Sequence, residues 1–268
     1  MSLTKPDEYR LLAEFYDHVV IYRERKDIDF YLEMARQSKG TVLELGCGTG
    51  RILLPIARSG IKIAGIDSSD KMLSICREKL SQEPENIKRS VKLFNADMRS
   101  FELSQKFDLA IIPFRAFQHL LTVDDQIACL KCVHKHLKKS GKIILDLFNP
   151  SLERLVDDKY LGEVDEEPEF SMPDRRKVIR CNKYLGRDLE NQILDIQFIF
   201  YISHPDGRSE RLTENAQMRY LFRFEAEHLL ARCGFKLDVA YGDLNKTLFG
   251  AQANQELIFV AGKCSISI

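Results

Sequence analysis

The chain contains no apolar run approaching the roughly 20 residues that a helix needs to cross a bilayer, so no membrane-spanning helix is expected. It has no net charge either: 40 Lys and Arg balance 40 Asp and Glu, which leaves no general attraction to nucleic acid or to an anionic lipid surface. The cysteines are odd in number, seven scattered from Cys47 to Cys264, and lack the paired spacing of a disulfide framework. The N-terminus shows no signal-peptide pattern. These absences predict a protein of the reducing cytoplasm, with neither nucleic acid nor membrane as a partner; the expected state, monomer or homodimer, does not follow from them.

What is present has the composition of a globular protein: 268 residues, 44% hydrophobic and 30% charged, enough to bury a sizeable core. Residues 7–36 place Leu11, Leu12, Phe15, Val19, Phe30, Leu32 and Met34 at helical spacing, broken by the charged RERKD, which predicts two helices. From residue 41 the pattern alternates. Strands are expected at TVLEL, IKIAGI, VKLFN, FDLAIIPF and KIILDLF, and helices at 51–59, 70–80 and 123–139. Strands alternating with helices form right-handed crossovers, so residues 40–150 are expected to be an α/β doubly wound parallel sheet covered on both faces.

After Pro150 the pattern changes. An acidic stretch precedes RRKVIRCNKYL, NQILDIQFIFYISH and GRSERLTENAQMRYLF, read as a three-stranded antiparallel meander over 176–222 with HPDG as one turn. A helix from Glu225 to Arg232 and the strands FKLDVAY and ELIFVAG resume the α/β pattern over 223–268. The meander is therefore expected to be an insertion in a single domain, with residues 1–39 as an N-terminal helical lid. Its Ile196, Phe198, Phe200 and Ile202 share one face, more apolar surface than a free flap leaves in water. That face is expected to pack on the domain or a second subunit, its rim roofing a small closed pocket with Tyr16, Phe117 and His119.

The segment TVLELGCGTGR, Thr41 to Arg51, carries the chemistry. Gly46, Gly48 and Gly50 fall where the first strand meets the first helix, the place where open parallel sheets bind ligands. Either a dinucleotide or S-adenosylmethionine suits such a loop, but the dinucleotide fingerprint asks for a third glycine where Arg51 stands. Asp67 ends the second strand, where a carboxylate accepts both hydroxyls of an adenosine ribose. Asp97 follows the third, where it suits an adenine amino group while Met98 packs on the ring. Taken singly, each aspartate is as well explained as a helix cap or turn residue.

In order and spacing, VLELGCGTG, GIDSSDKML, NADMRSF and FDLAIIPFRAFQHL resemble the successive motifs of class I S-adenosylmethionine-dependent methyltransferases, over residues 40–150. The resemblance implies a Rossmann-like seven-stranded sheet of order 3-2-1-4-5-7-6 with the last strand antiparallel, and S-adenosylmethionine as cofactor. It also implies roles: Glu44, Gly46, Gly48 and Gly50 around the methionine part, Asp67 at the ribose, Asp97 and Met98 at adenine, Phe114 closing over the cofactor, and Cys47, Ser68 and Met72 as further cofactor contacts. The layout of the second half, with FYDHVVIYRERKDIDFY near the N-terminus, is similar to small-molecule methyltransferases carrying an antiparallel flap, amino-sugar N-methyltransferases among them.

Methyl transfer from a sulfonium asks the protein chiefly to align the acceptor and exclude water, with a base where the acceptor arrives protonated. His119 and Tyr16 are the candidates for that base, and Arg115 and Phe117 for contacts to a small-molecule acceptor. Their alternatives are a surface histidine, a packed tyrosine, a solvated arginine and a core phenylalanine. Cys129, Cys132 and His136 share a helix side but lack a fourth ligand, and Asp146 with Asn149 does not complete a magnesium site, so no metal is expected. The competing functions are a nicotinamide oxidoreductase, a non-catalytic adenosyl-binding regulator, and a methyltransferase of protein or RNA. For amino groups of bases the last would favour an N/D-P-P-aromatic segment where IPFR stands.

Overall fold

A computed structural model describes residues 10–164, 167–251 and 256–264; the first nine residues of the expected N-terminal lid lie outside it. The strands, in chain order, are β1 (Val42–Leu45), β2 (Ile63–Asp67), β3 (Val91–Asn95), β4 (Phe107–Ile112), β5 (Leu137–Phe148), β6 (Phe170–Ser171), β7 (Lys177–Asp188), β8 (Ile193–Ser203), β9 (Ser209–Arg219), β10 (Phe235–Tyr241) and β11 (Glu256–Lys263). They fall into two compact units, one of Lys26–Pro150 with Tyr220–Ile268 and one of Met1–Arg25 with Ser151–Arg219.

The first unit holds a seven-stranded sheet of order β3-β2-β1-β4-β5-β11-β10. Neighbours from β3 to β5 pair in parallel, and β11 runs antiparallel to both β5 and β10. Counted along this sheet, the order is the expected 3-2-1-4-5-7-6. All four residues of β1 are buried, as befits a strand covered on both faces. Side-chain alternation sorts the core. Leu43, Leu45, Ile66, Ile112 and Leu145 pack with helices Val123–His136 and Arg223–Arg232, while Val42, Ile63, Ile111 and Ile144 pack with helices Asp27–Ser38, Leu53–Arg58 and Asp70–Ser81. Glu44 shares its side of β1 with Val42, which aims a carboxylate toward the second layer.

Two boundaries differ from expectation. The helix expected to reach residue 139 ends at His136, and β5 begins at once at Leu137, because Leu137 pairs with Phe107 across a register shift before the regular ladder resumes at Leu109 and Lys142. The fourth strand stops at Ile112, short of Pro113 and Phe114, where the backbone turns left-handed.

The second unit is built on a four-stranded antiparallel sheet, β6-β7-β8-β9. The expected three-stranded meander gains the two-residue β6, which pairs Phe170 with Val178 and Ser171 with Lys177. The apolar face of β8 is covered from within the unit: the Phe15 ring, from helix Arg10–Phe15, lies 4.8 Å from that of Phe200 and 6.5 Å from that of Phe170. The Leu12 N–H donates to Glu214 of β9 at 2.7 Å. On the same face Arg180 is buried, ion-paired with Glu167 and stacked on Tyr22 and Phe198. All seven cysteines are free thiols, and no helix among the described residues is long and apolar enough to cross a membrane.

Candidate active site

After β1 the chain turns through three left-handed glycines, Gly46 (φ +71°), Gly48 (φ +52°) and Gly50 (φ +82°). Side-chain-bearing residues adopt this region only at a cost. The three differ in what a Cβ would meet. At Gly46 it would lie 2.6 Å from the Ala116 Cβ and at Gly50 2.7 Å from the Cys76 Sγ, whereas at Gly48 only the Met72 Sδ comes as close as 4.0 Å. Gly46 and Gly50 are thus excluded from carrying side chains by the protein's own packing. Gly48 leaves its main chain open.

The second strand tip is tied to this loop. Asp67 accepts the Gly48 N–H at 2.7 Å on one carboxylate oxygen and the Ser69 N–H at 2.8 Å on the other. Ser69 caps helix Asp70–Ser81 by accepting the Met72 N–H. Ser68 is exposed, and Met72 and Met98 flank Gly48 and Gly46 respectively. Cys47 turns its side chain into the core, where burial pushes the thiol pKa well up, so only its main chain faces the loop. Asp97 is held in a fork by Arg99, with Nε–Oδ1 at 2.9 Å and Nη2–Oδ2 at 2.5 Å, and Arg99 reaches on to Asp125 at 2.7 Å.

Around Glu44 the structure gathers residues whose partnership the sequence did not disclose. Asp27, at the start of helix Asp27–Ser38 and fully buried, receives both Arg51 Nη atoms, at 2.6 and 2.7 Å. Glu44 itself is 1% exposed and its Oε2 has no hydrogen-bond partner among the described residues. Burial pushes its pKa well above the ordinary carboxylate value, against partial relief from Arg51. Asp146, buried near the end of β5, accepts the Tyr31 hydroxyl at 3.1 Å and the Phe114 N–H at 3.2 Å. Its carbonyl accepts the Arg115 N–H at 3.2 Å.

Those contacts hold an unusual turn after β4. Phe114 (φ +50°) and Arg115 (φ +67°) are consecutive left-handed residues that are not glycine, a conformation costing about 1–3 kcal/mol each and concentrated at functional sites. The Phe114 ring carries the Arg51 guanidinium at 5.3 Å and that of Arg115 at 5.8 Å, while Arg115 also lies over Phe148 at 5.0 Å. Next in the chain is the short 3-10 helix Ala116–His119, which buries Phe117 completely in the core and exposes His119. Buried Gln118 accepts the Phe148 N–H at 2.6 Å.

Tyr16 lies in the other unit, its ring 4.9 Å from that of Tyr22. His136 is built into the core: Nδ1 faces the Cys132 carbonyl at 2.8 Å and Nε2 accepts the Leu103 N–H at 3.0 Å. Tyr31 and Asp27 read in the sequence only as part of an amphipathic helix, and Arg51 only as a departure from the dinucleotide pattern. An acid one helical turn before a tyrosine, Asp27 and Tyr31, with an arginine closing a glycine loop, was the available signal.

A profile of the methyltransferase domain family matches residues 42–141. Over 95% of this chain and 97% of its own length, "Putative methyltransferase YqeM" of Bacillus subtilis (strain 168) is 26% identical. Two solved structures share the fold. One is an S-adenosylmethionine-dependent methyltransferase from Clostridium acetobutylicum (TM-score 0.73, 19% identity, 96% of this chain and 99% of that one). The other is the sugar N-methyltransferase KedS8 from Streptoalloteichus (TM-score 0.72, 16% identity, 99% and 97%). The glycine loop with its acidic strand tips, the sheet order and these likenesses agree: residues 42–141 are a methyltransferase domain, and the chain has the fold of class I S-adenosylmethionine-dependent methyltransferases.

Proposed function

We propose that the protein transfers the methyl group of S-adenosylmethionine to a nitrogen or oxygen of a small-molecule acceptor. The observation that carries the cofactor reading is Glu44, a buried carboxylate at the end of β1 with an Oε2 that nothing among the described residues satisfies, beside a glycine loop left open at Gly48. Folded proteins rarely leave such a group without a reason, and a cationic ligand group removes the cost. The methionine ammonium of the cofactor supplies that charge. Asp67 would take the ribose hydroxyls, Asp97 would exchange part of its Arg99 fork for an adenine amino group, and Met72 and Met98 provide apolar walls beside the loop. Cys47 contributes main chain alone and Ser68 an exposed position at the ribose end.

S-adenosylmethionine, when bound, supplies a methyl group already activated by the sulfonium charge. The protein's work is to orient the acceptor, exclude water and manage a proton. The strained turn at Phe114, held by Asp146, sets an aromatic wall at the C-terminal edge of β4. His119, exposed a few residues later, is the proposed acceptor of the proton that an amine or hydroxyl loses. A small acceptor is supported by the fold shared with KedS8 over nearly the whole chain and by the absence of net charge.

The test is calorimetry with S-adenosylmethionine and NAD, followed by incubation with methyl-labelled S-adenosylmethionine and a metabolite extract. Binding of S-adenosylmethionine alone and label in a small metabolite are expected. Binding without turnover would leave the adenosyl-binding regulator as the better reading, and NAD binding would refute the cofactor assignment.

A further inference from the structure

Two guanidinium groups flank the Phe114 ring, and they are not equivalent. Arg51 is neutralised by the two-pronged contact with Asp27. Arg115 has no such counterpart: among the described residues no carboxylate pairs with it, and its Nε is a buried donor without an acceptor. It is half-buried, clamped between Phe114 and Phe148, with its main chain pinned to the Asp146 carbonyl. The Asp146 carboxylate instead accepts from Tyr31 and Phe114 on Oδ2.

Stacking a guanidinium on aromatic faces leaves its in-plane N–H donors pointing outward, the geometry that grips a carboxylate or a phosphate with two parallel hydrogen bonds. Holding a cation half-buried and without a carboxylate in a left-handed backbone carries an energetic cost that its cation–π contacts offset only in part. The arrangement sits just past the C-terminal end of β4, on the edge of the sheet where ligands of this architecture bind.

From this unmatched, pre-oriented cation we infer that Arg115 is a specificity-determining residue that binds an anionic group, carboxylate or phosphate, on the methyl acceptor. The inference rests on the small-acceptor reading above and narrows it to acidic metabolites. Neutral or cationic acceptors would leave the guanidinium unsatisfied and be discriminated against.

The experiment uses the full chain with methyl-labelled S-adenosylmethionine and a metabolite extract, the products being fractionated by anion exchange at neutral pH. The labelled product is expected to be retained as an anion. With the acceptor isolated from that fraction, Arg115→Met is expected to raise KM about tenfold or more with a much smaller change in kcat. Arg115→Lys, which keeps the charge without the planar fork, is expected to fall between, and S-adenosylmethionine affinity by calorimetry is expected to be unchanged in both, which also reports that they fold. A labelled product that elutes as neutral or cationic overturns the proposal, as does a KM for Arg115→Met equal to that of the wild type. A protein that binds S-adenosylmethionine but labels no small molecule overturns the small-acceptor reading and this proposal together.

Discussion

Replacing Glu44 with glutamine keeps the shape of the side chain and removes its charge, and the structure predicts opposite consequences for ligand affinity and for stability. In the free protein the carboxylate is 1% exposed with an unsatisfied oxygen, so its ionised form is disfavoured by burial more than Arg51 favours it. Below the ordinary value of 4.5, folded and unfolded chains both hold the Glu44 proton; between that value and the raised one, only the folded chain does. Wild-type stability therefore falls as pH rises through this window, and Glu44→Gln removes that fall. On binding, the lost charge-assisted hydrogen bond to the methionine ammonium costs about 1.5–3 kcal/mol, or about 10- to 150-fold in Kd. Thermal melting across a pH series and calorimetric titration with S-adenosylmethionine read the two effects separately. A glutamine variant that binds like the wild type, or that melts below it at alkaline pH, would refute the assignment of Glu44.

The same proton makes cofactor affinity pH-dependent: binding favours ionised Glu44, so wild-type affinity is expected to strengthen as pH rises through the window, while Glu44→Gln shows a flat profile by calorimetry. Gly46→Ala and Gly48→Ala both carry the left-handed penalty of about 1–2 kcal/mol, but only at Gly46 does the new Cβ meet Ala116 at 2.6 Å. Denaturant titration is expected to show the larger loss for Gly46→Ala and recovery of the excess in Gly46→Ala/Ala116→Gly. Asp27→Leu strands the Arg51 charge and is expected to cost about 3–5 kcal/mol in urea unfolding. The double variant Asp27→Leu/Arg51→Met is expected to cost less than the sum of the single ones.

The sequence by itself determined which segments are strands and helices in residues 40–150, because burial on two faces or one writes a local period into the chain. It also marked the glycine loop and the carboxylates at the next two strand tips, since a close backbone approach and a terminal acid are local requirements. The sheet order came from the family resemblance, and the structure bears it out. The end of helix Val123–His136 was not legible, because Lys138 to Ser140 continue a helical-looking charged run and only the pairing of Leu137 with Phe107 draws the chain into β5. Nor did local pattern tell an apolar residue facing a pocket from one facing the core, which is why Phe117 read as an acceptor contact and is fully buried packing.

Tertiary structure alone decided the electrostatics of the site. Arg51 meets Asp27 from 24 residues away, and Tyr31 meets Asp146 across 115. No spacing rule encodes such pairs, since they depend on where helix Asp27–Ser38 is laid against the ends of β1 and β5. Among the described residues that placement matches one arginine with a carboxylate and leaves Arg115 without one, while Glu44 is buried with an acceptor unfilled. A charge in a chain records its sign, but whether it is satisfied is a property of the neighbours that folding brings to it.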